Sequence, residues 1–298
     1  RKQILNSLYN LAKKDKKIVY IGSDLGPDTL KDFRKKYPNR FFMEGAYEQH
    51  LISMAAGLAL EGFKPYVHTI ATFITRRCYE QIYISLGLQN LNVRLIGNGG
   101  GLVYSPLGQT HLGLDDIALM RSIPNMSIIA PADALEMKSL VESSKNHKGP
   151  IYFRVAKGDD DICSNIFKKK STFNNIQSIK NNSKIMLVST GIMLETAIKL
   201  KDYYSKLNLS IGLIHLPVLQ PLNTKKFLSL IKNTKTLISI EEHSEIGGLG
   251  SIISDLITSS PKKIQLIKIA ILNNVIKGYG RQHNQIKLNR IDFKSCQN

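Results

Sequence analysis

Apolar positions in the first half of the chain follow two alternating spacings. Near the N-terminus, apolar residues recur at the spacing of an α-helix: Ile4, Leu5, Leu8, Leu11 and Ala12. Residues 3–14 are therefore predicted to form an amphipathic helix. The next apolar stretch, residues 18–22, is short and continuous and ends in glycine. That pattern is typical of a strand buried inside a parallel sheet.

The same succession of short apolar runs and longer helical patterns continues to residue 155. Further strands are predicted at residues 65–70, 93–97, 126–130 and 151–155. Helices are predicted at residues 51–60, 73–86 and 132–144. Strands that alternate with helices in this way indicate a parallel sheet with helices on both faces.

A second, smaller alternating unit begins near residue 185. Its strands are predicted at residues 185–189, 211–215, 236–240 and 264–271. The polar stretch before it, which contains Asp159-Asp160-Asp161, is interpreted as a linker with at most one strand. No cluster of partnering ligands accompanies the three aspartates, so a solvated loop is favoured over a metal site.

These patterns predict an α/β protein with two open, mostly parallel sheets flanked by helices. A length of 298 residues is enough for two domains of ordinary size. We place the first domain at residues 1–164, a linker leading into the second at 165–183, and the second domain at 184–298.

Composition favours a globular protein of the cytoplasm. Hydrophobic residues make up 43% and charged residues 21% of the chain. No apolar run approaches the roughly 18 residues that a membrane helix needs, and no signal peptide is visible. The three cysteines, Cys78, Cys163 and Cys296, are far apart and odd in number, so reduced thiols are expected.

The formal net charge of +18 would attract polyanions. The basic residues are scattered, however, without interleaved aromatic residues or a known nucleic-acid motif. We therefore predict no binding to nucleic acid or membrane, and interpret the charge as suited to phosphorylated small substrates or an acidic partner subunit.

One carboxylate stands out from the hydrophobic pattern. Glu48 follows a short apolar strand at residues 41–43 and an acidic turn, and it opens a helix made of small and apolar residues. The helix is predicted to be nearly buried, and a carboxylate there is costly when ionised unless something bonds it. Glu48 is thus a candidate catalytic acid, although negative charge is also favoured at any helix N-terminus.

A series of short motifs in the order of one family extends over nearly the whole chain. They are Glu48-Gln49-His50, Ala55-Ala56-Gly57-Leu58-Ala59, Gly62-Phe63-Lys64-Pro65, Thr72-Phe73-Ile74-Thr75-Arg76-Arg77, Gly108-Gln109-Thr110-His111, Ile129-Ala130-Pro131-Ala132-Asp133 and Glu241-Glu242-His243-Ser244-Glu245-Ile246-Gly247-Gly248-Leu249-Gly250. The chain resembles the pyrimidine-binding and C-terminal domains of transketolases and deoxyxylulose-phosphate synthases.

The resemblance implies thiamine diphosphate as cofactor and assigns residues to it. Glu48 would hold a proton against N1′ of the aminopyrimidine, and Phe73 would stack on that ring. Ile70 stands where relatives often carry an aromatic residue at the ring. Either Arg76 or Arg77 could match a cofactor-binding arginine, and Arg76 is preferred.

The resemblance also implies substrate contacts. His111 corresponds to a histidine that lines the substrate channel and can exchange protons near neutral pH, although a loop histidine can also simply cap a helix. Arg154, or alternatively Lys157, would contact a substrate phosphate, since a guanidinium fork matches phosphate oxygens. Asp24 matches an acidic residue at the mouth of the pocket.

Two departures from the family pattern concern the substrate. Leu107 occupies the position of an aspartate that contacts substrate hydroxyl groups in transketolases, and Gly99 the position of a second substrate histidine. An apolar side chain cannot replace a hydroxyl-binding carboxylate. The usual pair of pentose-phosphate substrates is therefore not expected. Residues 105–108 (Ser-Pro-Leu-Gly) resemble the corresponding segment of split transketolase-like proteins.

A further departure concerns the cofactor's diphosphate half. The family's Gly-Asp-Gly…Asn motif for diphosphate and Mg²⁺ is absent, because Gly158-Asp159-Asp160 does not match it. Magnesium takes oxygen ligands together with the diphosphate, so a separate N-terminal transketolase-like subunit is expected to hold both. The C-terminal domain is expected mainly to support self-association.

The resemblance therefore implies the C-terminal subunit of a split transketolase-like enzyme, active with its partner in a heterotetramer and acting on sugar-type or 2-oxo-acid substrates. Two alternatives remain open: a decarboxylating synthase that uses pyruvate, and a non-catalytic assembly subunit.

Overall fold

The structure is a computed structural model, and it describes residues 1–23, 30–158, 161–258, 262–276 and 278–297. Asp24 and the Asp159-Asp160 pair of the acidic triplet lie outside the described residues. The described helices include none that is long and apolar enough to cross a membrane. The same residues contain no group of three or more His, Cys, Asp or Glu side chains that could hold a metal ion.

The first sheet has seven strands, of which six come from the first half of the chain. These are β1 (Ile18–Gly22), β2 (Phe41–Met43), β3 (Lys64–Ile70), β4 (Arg94–Asn98), β5 (Ser127–Ile129) and β6 (Ile151–Val155). The strand order is β10-β5-β6-β4-β3-β1-β2, where β10 is Val218–Gln220. All neighbours are parallel except β10, which runs antiparallel to β5.

Helices cover both faces of this sheet, as the alternating pattern predicts. They are α1 (Lys2–Ala12), α2 (Lys31–Lys36), α3 (Glu48–Leu60), α4 (Tyr79–Gln81), α5 (Asp116–Arg121) and α6 (Ala134–Ser144). Leu5 of α1 and Leu140 of α6 pack in the core on one face. Leu51 of α3 and Ile74 pack in the core on the other.

The helix predicted at residues 73–86 is not a regular α-helix. Phe73–Arg77 and Ile82–Gly87 form π-helical turns on either side of the short α4. The π geometry closes bonds from residue i to i+5 and recurs at functional sites. It changes which side chains of this segment share a face.

The second sheet has five strands in the order β12-β11-β8-β9-β7. They are β7 (Gln177–Ile179), β8 (Ile185–Ser189), β9 (Ile211–His215), β11 (Thr236–Ser244) and β12 (Gln265–Ile271). The helices are α7 (Leu194–Lys206), α8 (Thr224–Leu230), α9 (Leu249–Thr258) and α10 (Gln282–Leu288). Among these described strands only β7, from the predicted linker, is antiparallel to its neighbour. The predicted fold class of two mostly parallel sheets flanked by helices is confirmed.

Parallel strands bring their carboxyl ends to one edge of the first sheet. Ser23 follows β1, Ile70 ends β3, Asn98 ends β4 and Val155 ends β6. In open α/β sheets ligands bind outside this edge. The candidate side chains of the sequence analysis follow these same strand ends.

Candidate active site

Glu48 is the first residue of α3, and its side chain is only 2% exposed. One carboxylate oxygen accepts a hydrogen bond from the Thr69 hydroxyl group at 3.3 Å. The other accepts from Nη1 of Arg77 at 2.8 Å. The Ser23 hydroxyl in turn donates to Thr69 at 3.0 Å. The buried carboxylate is thus bonded, as a charge at such a position requires, and it is anchored to β3.

The rest of α3 differs from the prediction that this helix is nearly buried. Its outward positions His50, Ser53, Gly57 and Leu60 are exposed in the single chain. The prediction was wrong because small residues were taken as evidence of burial within the chain, whereas Ser53 and Gly57 lie on the exposed face of the helix.

Arg77 links Glu48 to the aromatic side chains of the site. Its guanidinium carbon lies 4.1 Å from the centroid of the Phe73 ring. The Phe73 ring in turn meets the His111 ring edge-on, with centroids 5.1 Å apart and planes at 62°. Glu48, Arg77, Phe73 and His111 therefore form one contiguous series of contacts.

Arg76, the preferred arginine of the sequence analysis, points to a different partner. Its Nε lies 2.8 Å from the nearer carboxylate oxygen of Asp115, and its Nη2 donates to the carbonyl of Leu112 at 3.0 Å. Arg77 is the arginine that contacts Glu48. A cofactor-binding role for Arg76 stays a prediction, and in this structure Arg76 holds the loop that carries His111.

His111 ends a short 3₁₀ turn, Gln109–His111, that follows Gly108. Its Nδ1 lies 2.9 Å from the Thr110 hydroxyl, which leaves Nε2 as the ring nitrogen directed away from that contact. Gly108 has φ +82°, a conformation that glycine adopts without steric cost. The turn thereby directs His111 toward Phe73.

Arg154 is a buried cross-link in this structure. Its Nε donates to Asp116 at 2.9 Å, and its Nη2 donates to the carbonyls of Gly113 and Glu242 at 3.0 and 2.9 Å. Burial alone would lower the pKa of Arg154, but the carboxylates of Asp116 and Glu242 raise it above its ordinary value. Its expected contact with a substrate phosphate stays a prediction, as does that of the exposed Lys157.

Three other positions bear on the cofactor or the substrate. Ile70 is the last residue of β3 and is 8% exposed, so it belongs to the wall of the sheet edge. Leu107 is 54% exposed on the loop that carries His111. Gly99 has φ +79°, and a Cβ atom there would collide with the Tyr104 ring. Tyr104 thus fills the space that a side chain at position 99 would need.

Sequence reasoning missed several residues that build this site. Thr69 and Asp116 carry no motif and become visible only once β3 and α5 are placed. The role of Glu242 was missed although its motif was noted, because that motif comes from the distant second domain. The spacing of Arg76 and Arg77 left open which of them is the cofactor-binding arginine, and the structure adds that Arg77 is the one in contact with Glu48.

The geometry fits a flat heterocycle with ring nitrogens. The buried Glu48 carboxylate supplies a hydrogen-bonding group, and the partly buried Phe73 and the wall residue Ile70 supply apolar surface at the same sheet edge. Such a combination suits a planar ring that can be held by one hydrogen bond and by stacking.

Comparisons with known proteins agree with this geometry. Residues 1–159 match the model of the transketolase pyrimidine-binding domain. Residues 175–283 match the model of the transketolase C-terminal domain. Thiamine diphosphate use is implied by the first match.

Among curated relatives, one of the subunits of the apulose-4-phosphate transketolase of Phocaeicola vulgatus is 30% identical over 93% of this chain and 89% of its own length. The 1-deoxy-D-xylulose-5-phosphate synthase of Clostridium perfringens is 30% identical over 98% of this chain. This chain spans only 47% of that enzyme's length.

A solved structure described as a split gene transketolase, inactive beta4 tetramer, superposes with a TM-score of 0.86. It is 27% identical in sequence and covers 99% of this chain and 94% of its own. The family resemblance inferred from the motifs is confirmed, and the chain belongs to the transketolase family, of which it contains the pyrimidine-binding and C-terminal domains.

Proposed function

We propose that this chain is the C-terminal subunit of a split transketolase-like enzyme that uses thiamine diphosphate to transfer a two-carbon ketol unit between sugar-type substrates. The observation that carries the proposal is the buried Glu48 carboxylate beside Phe73 at the carboxyl edge of the first sheet. The subunit organisation of the relatives supports the same conclusion.

When bound, the cofactor supplies a carbanion at C2 of its thiazolium ring, while the protein contributes position and electrostatics. Glu48 would hold a proton at N1′ of the pyrimidine. Phe73 and Ile70 provide the apolar surface on which the ring rests. The Thr69 hydrogen bond would hold the Glu48 carboxyl group toward the ring once the exposed Arg77 has moved aside.

The diphosphate half of the cofactor and its Mg²⁺ belong to a partner subunit with a Gly-Asp-Gly…Asn motif. Support comes from the Phocaeicola vulgatus relative, which is itself one subunit of a transketolase. The active site then forms where the Glu48 edge meets the partner, within a heterotetramer in the cytoplasm.

The substrate contacts follow from the loop that carries His111. His111 lies against Phe73, where it can donate a hydrogen bond to a hydroxyl group of a sugar beside the cofactor. The exposed Leu107 offers apolar surface in place of a carboxylate, which disfavours a polyhydroxylated pentose phosphate. Arg154 and Asp24 remain proposed substrate contacts.

The test uses this chain mixed with its partner, which we expect to be encoded beside it. Glu48→Gln should reduce ketol transfer by roughly 10²–10⁴-fold, because an amide cannot hold the proton at N1′. Glu44→Gln, a matched change at an exposed carboxylate four residues earlier, should leave the rate unchanged. Equal rates for Glu48→Gln and wild type would favour a non-catalytic assembly subunit.

The pyruvate-dependent synthase is a second candidate, favoured by its 30% identity across nearly all of this chain. The product of the reaction distinguishes such a synthase from a transketolase. Release of carbon dioxide from pyruvate without consumption of a ketose would overturn the transketolase assignment. Ketose consumption without carbon dioxide release would support it.

A further inference from the structure

The loop that carries His111 is embedded in the second domain. It leaves β4 through Gly99–Gly101 and returns at Gly113, where the Gly101 and Gly113 backbones bond each other at 2.7 and 3.0 Å. At its base, Leu102, Leu112 and Leu114 are buried in one core cluster with Leu187 and Ile240 of the second sheet. The stem of the loop, residues 99–102 and 112–114, thus packs in the same hydrophobic core as the C-terminal domain.

The Glu242 side chain of β11 forms a direct hydrogen bond to this stem. Its side chain is only 3% exposed. Its Oε1 accepts from the backbone N–H of Leu102 at 3.1 Å and from the Gln282 amide at 2.8 Å. A charged acceptor strengthens both hydrogen bonds. Gly101, with φ +75°, is required at this point because a Cβ atom there would collide with the Glu242 carboxylate.

The C-terminal side of the loop stem is hydrogen-bonded to the same segment of β11. The Ser244 N–H donates to the carbonyl of Leu114 at 2.9 Å. Arg154 bridges the carbonyls of Gly113 and Glu242. At the tip, the Ser105 hydroxyl donates to the carbonyl of Gly280 at 2.7 Å. The base and the tip of the loop are therefore both bonded to the C-terminal domain.

We infer that Glu242 is a positioning residue for the substrate loop: the C-terminal domain sets the place of His111 through the Glu242 contacts with Leu102 and Gln282. This role adds to the self-association expected of that domain. The inference rests on the proposed function only for the statement that His111 faces substrate. The position of the loop itself can be measured without cofactor, substrate or partner.

The experiment is hydrogen–deuterium exchange on the full chain, followed in peptides that cover residues 102–113. Glu242→Ala should speed exchange of these amides about tenfold, because the Leu102 N–H and its neighbours lose their acceptor. Glu242→Gln keeps an acceptor oxygen and should restore slow exchange. Gln282→Ala removes only the second donor and should give a smaller increase in the same peptides.

The matched control is Glu136→Ala. Glu136 is also a buried carboxylate that joins the two domains, through His215 at 3.0 Å, but it contacts the N-terminus of α6 rather than the loop. It should leave exchange at residues 102–113 unchanged. The inference is overturned if Glu242→Ala leaves these peptides protected, or if Glu136→Ala exposes them equally. If Glu242→Ala does not fold, Gln282→Ala decides: faster exchange in these peptides supports the inference, and unchanged exchange overturns it.

Discussion

At the scale of single residues, the site depends on a buried carboxylate whose partners differ in exposure. Thr69 is buried, whereas the Arg77 side chain is 45% exposed. Arg77 can therefore move aside while Thr69 continues to hold Glu48. We interpret Arg77 as the group that compensates the Glu48 charge before the site is completed by a partner.

Substitution of the two adjacent arginines tests this interpretation. Arg77→Ala leaves a buried carboxylate with one fewer donor, and we expect a loss of about 1–2 kcal/mol in the free energy of unfolding. Arg76→Ala breaks an exposed pair with Asp115 and should cost less than about 1 kcal/mol. Urea denaturation of both variants measures the difference. A larger loss for Arg76→Ala would contradict the assignment of Arg77 to Glu48.

A second residue-scale prediction concerns acid. Burial lowers the pKa of His68, which bonds the Tyr20 hydroxyl, to about 3, while an unfolded histidine titrates near 6.5. Between these values the unfolded chain binds one proton more than the folded chain. The stability that neutral His68 provides above pH 6.5 is therefore lost as the pH falls, at about 1.4 kcal/mol per pH unit.

The measurement is denaturation at a series of pH values between about 6.5 and 4.5. Wild type should lose stability more steeply on acidification than His68→Gln, because the variant lacks the titrating ring. Parallel curves for the two proteins would show that His68 is not the group responsible.

At the scale of elements, periodicity in the sequence was sufficient for most of the fold. Apart from β7 and β10, the strands of both sheets and the helices α1, α3 and α6 were predictable because their apolar spacing reflects burial. β10 was not, since a three-residue strand has no period and its return to the first sheet depends on distant packing. The π-helical turns were missed for a related reason, because periodicity cannot distinguish i+4 from i+5 bonding over five residues.

Prediction of the site from sequence had the same limit, since local patterns identify motifs but not tertiary contacts. Glu48, Phe73 and His111 could be selected from motifs, and the structure places their side chains in one series of contacts through Arg77. The choice between Arg76 and Arg77 depended on the phase of the helix, which the sequence leaves undetermined. Contacts that cross domains, such as Glu242 with Leu102, depend on tertiary packing and have no local signal.

Helix α3 offers an element-scale test of packing. Leu51 is fully buried and Leu60 is 64% exposed on the same helix. Leu51→Ala should cost about 2–5 kcal/mol in unfolding free energy, and Leu60→Ala should be within about 0.5 kcal/mol of wild type. Thermal or urea denaturation of the isolated chain checks both values. Similar losses at the two positions would contradict the orientation of α3.

At the scale of the whole molecule, the described residues of this chain leave the outer face of α3 exposed. Apolar side chains at its two ends are exposed, Tyr47 at 72% and Leu60 at 64%. Exposed apolar surface is typical of subunit contacts. We therefore expect this face, which starts at Glu48, to be covered when the chain assembles.

Gly57 allows this expectation to be tested with one substitution. A Cβ atom at Gly57 would meet no other atom within 4 Å. Gly57→Leu should leave the isolated chain as stable as wild type or more so, by up to about 1 kcal/mol, because glycine disfavours helix. The same variant should lose association, as followed by sedimentation. If Gly57→Leu changes neither association nor the stability of the isolated chain, the subunit contact lies on another face.

The central claim, that this chain provides half of a thiamine diphosphate site, is tested most directly by calorimetry. Thiamine diphosphate with Mg²⁺ is titrated into the mixed assembly of this chain and its partner, and into each chain alone. We expect saturable binding only to the assembly, and weaker binding when the assembly contains Glu48→Gln. Absence of cofactor binding to the wild-type assembly would contradict the account.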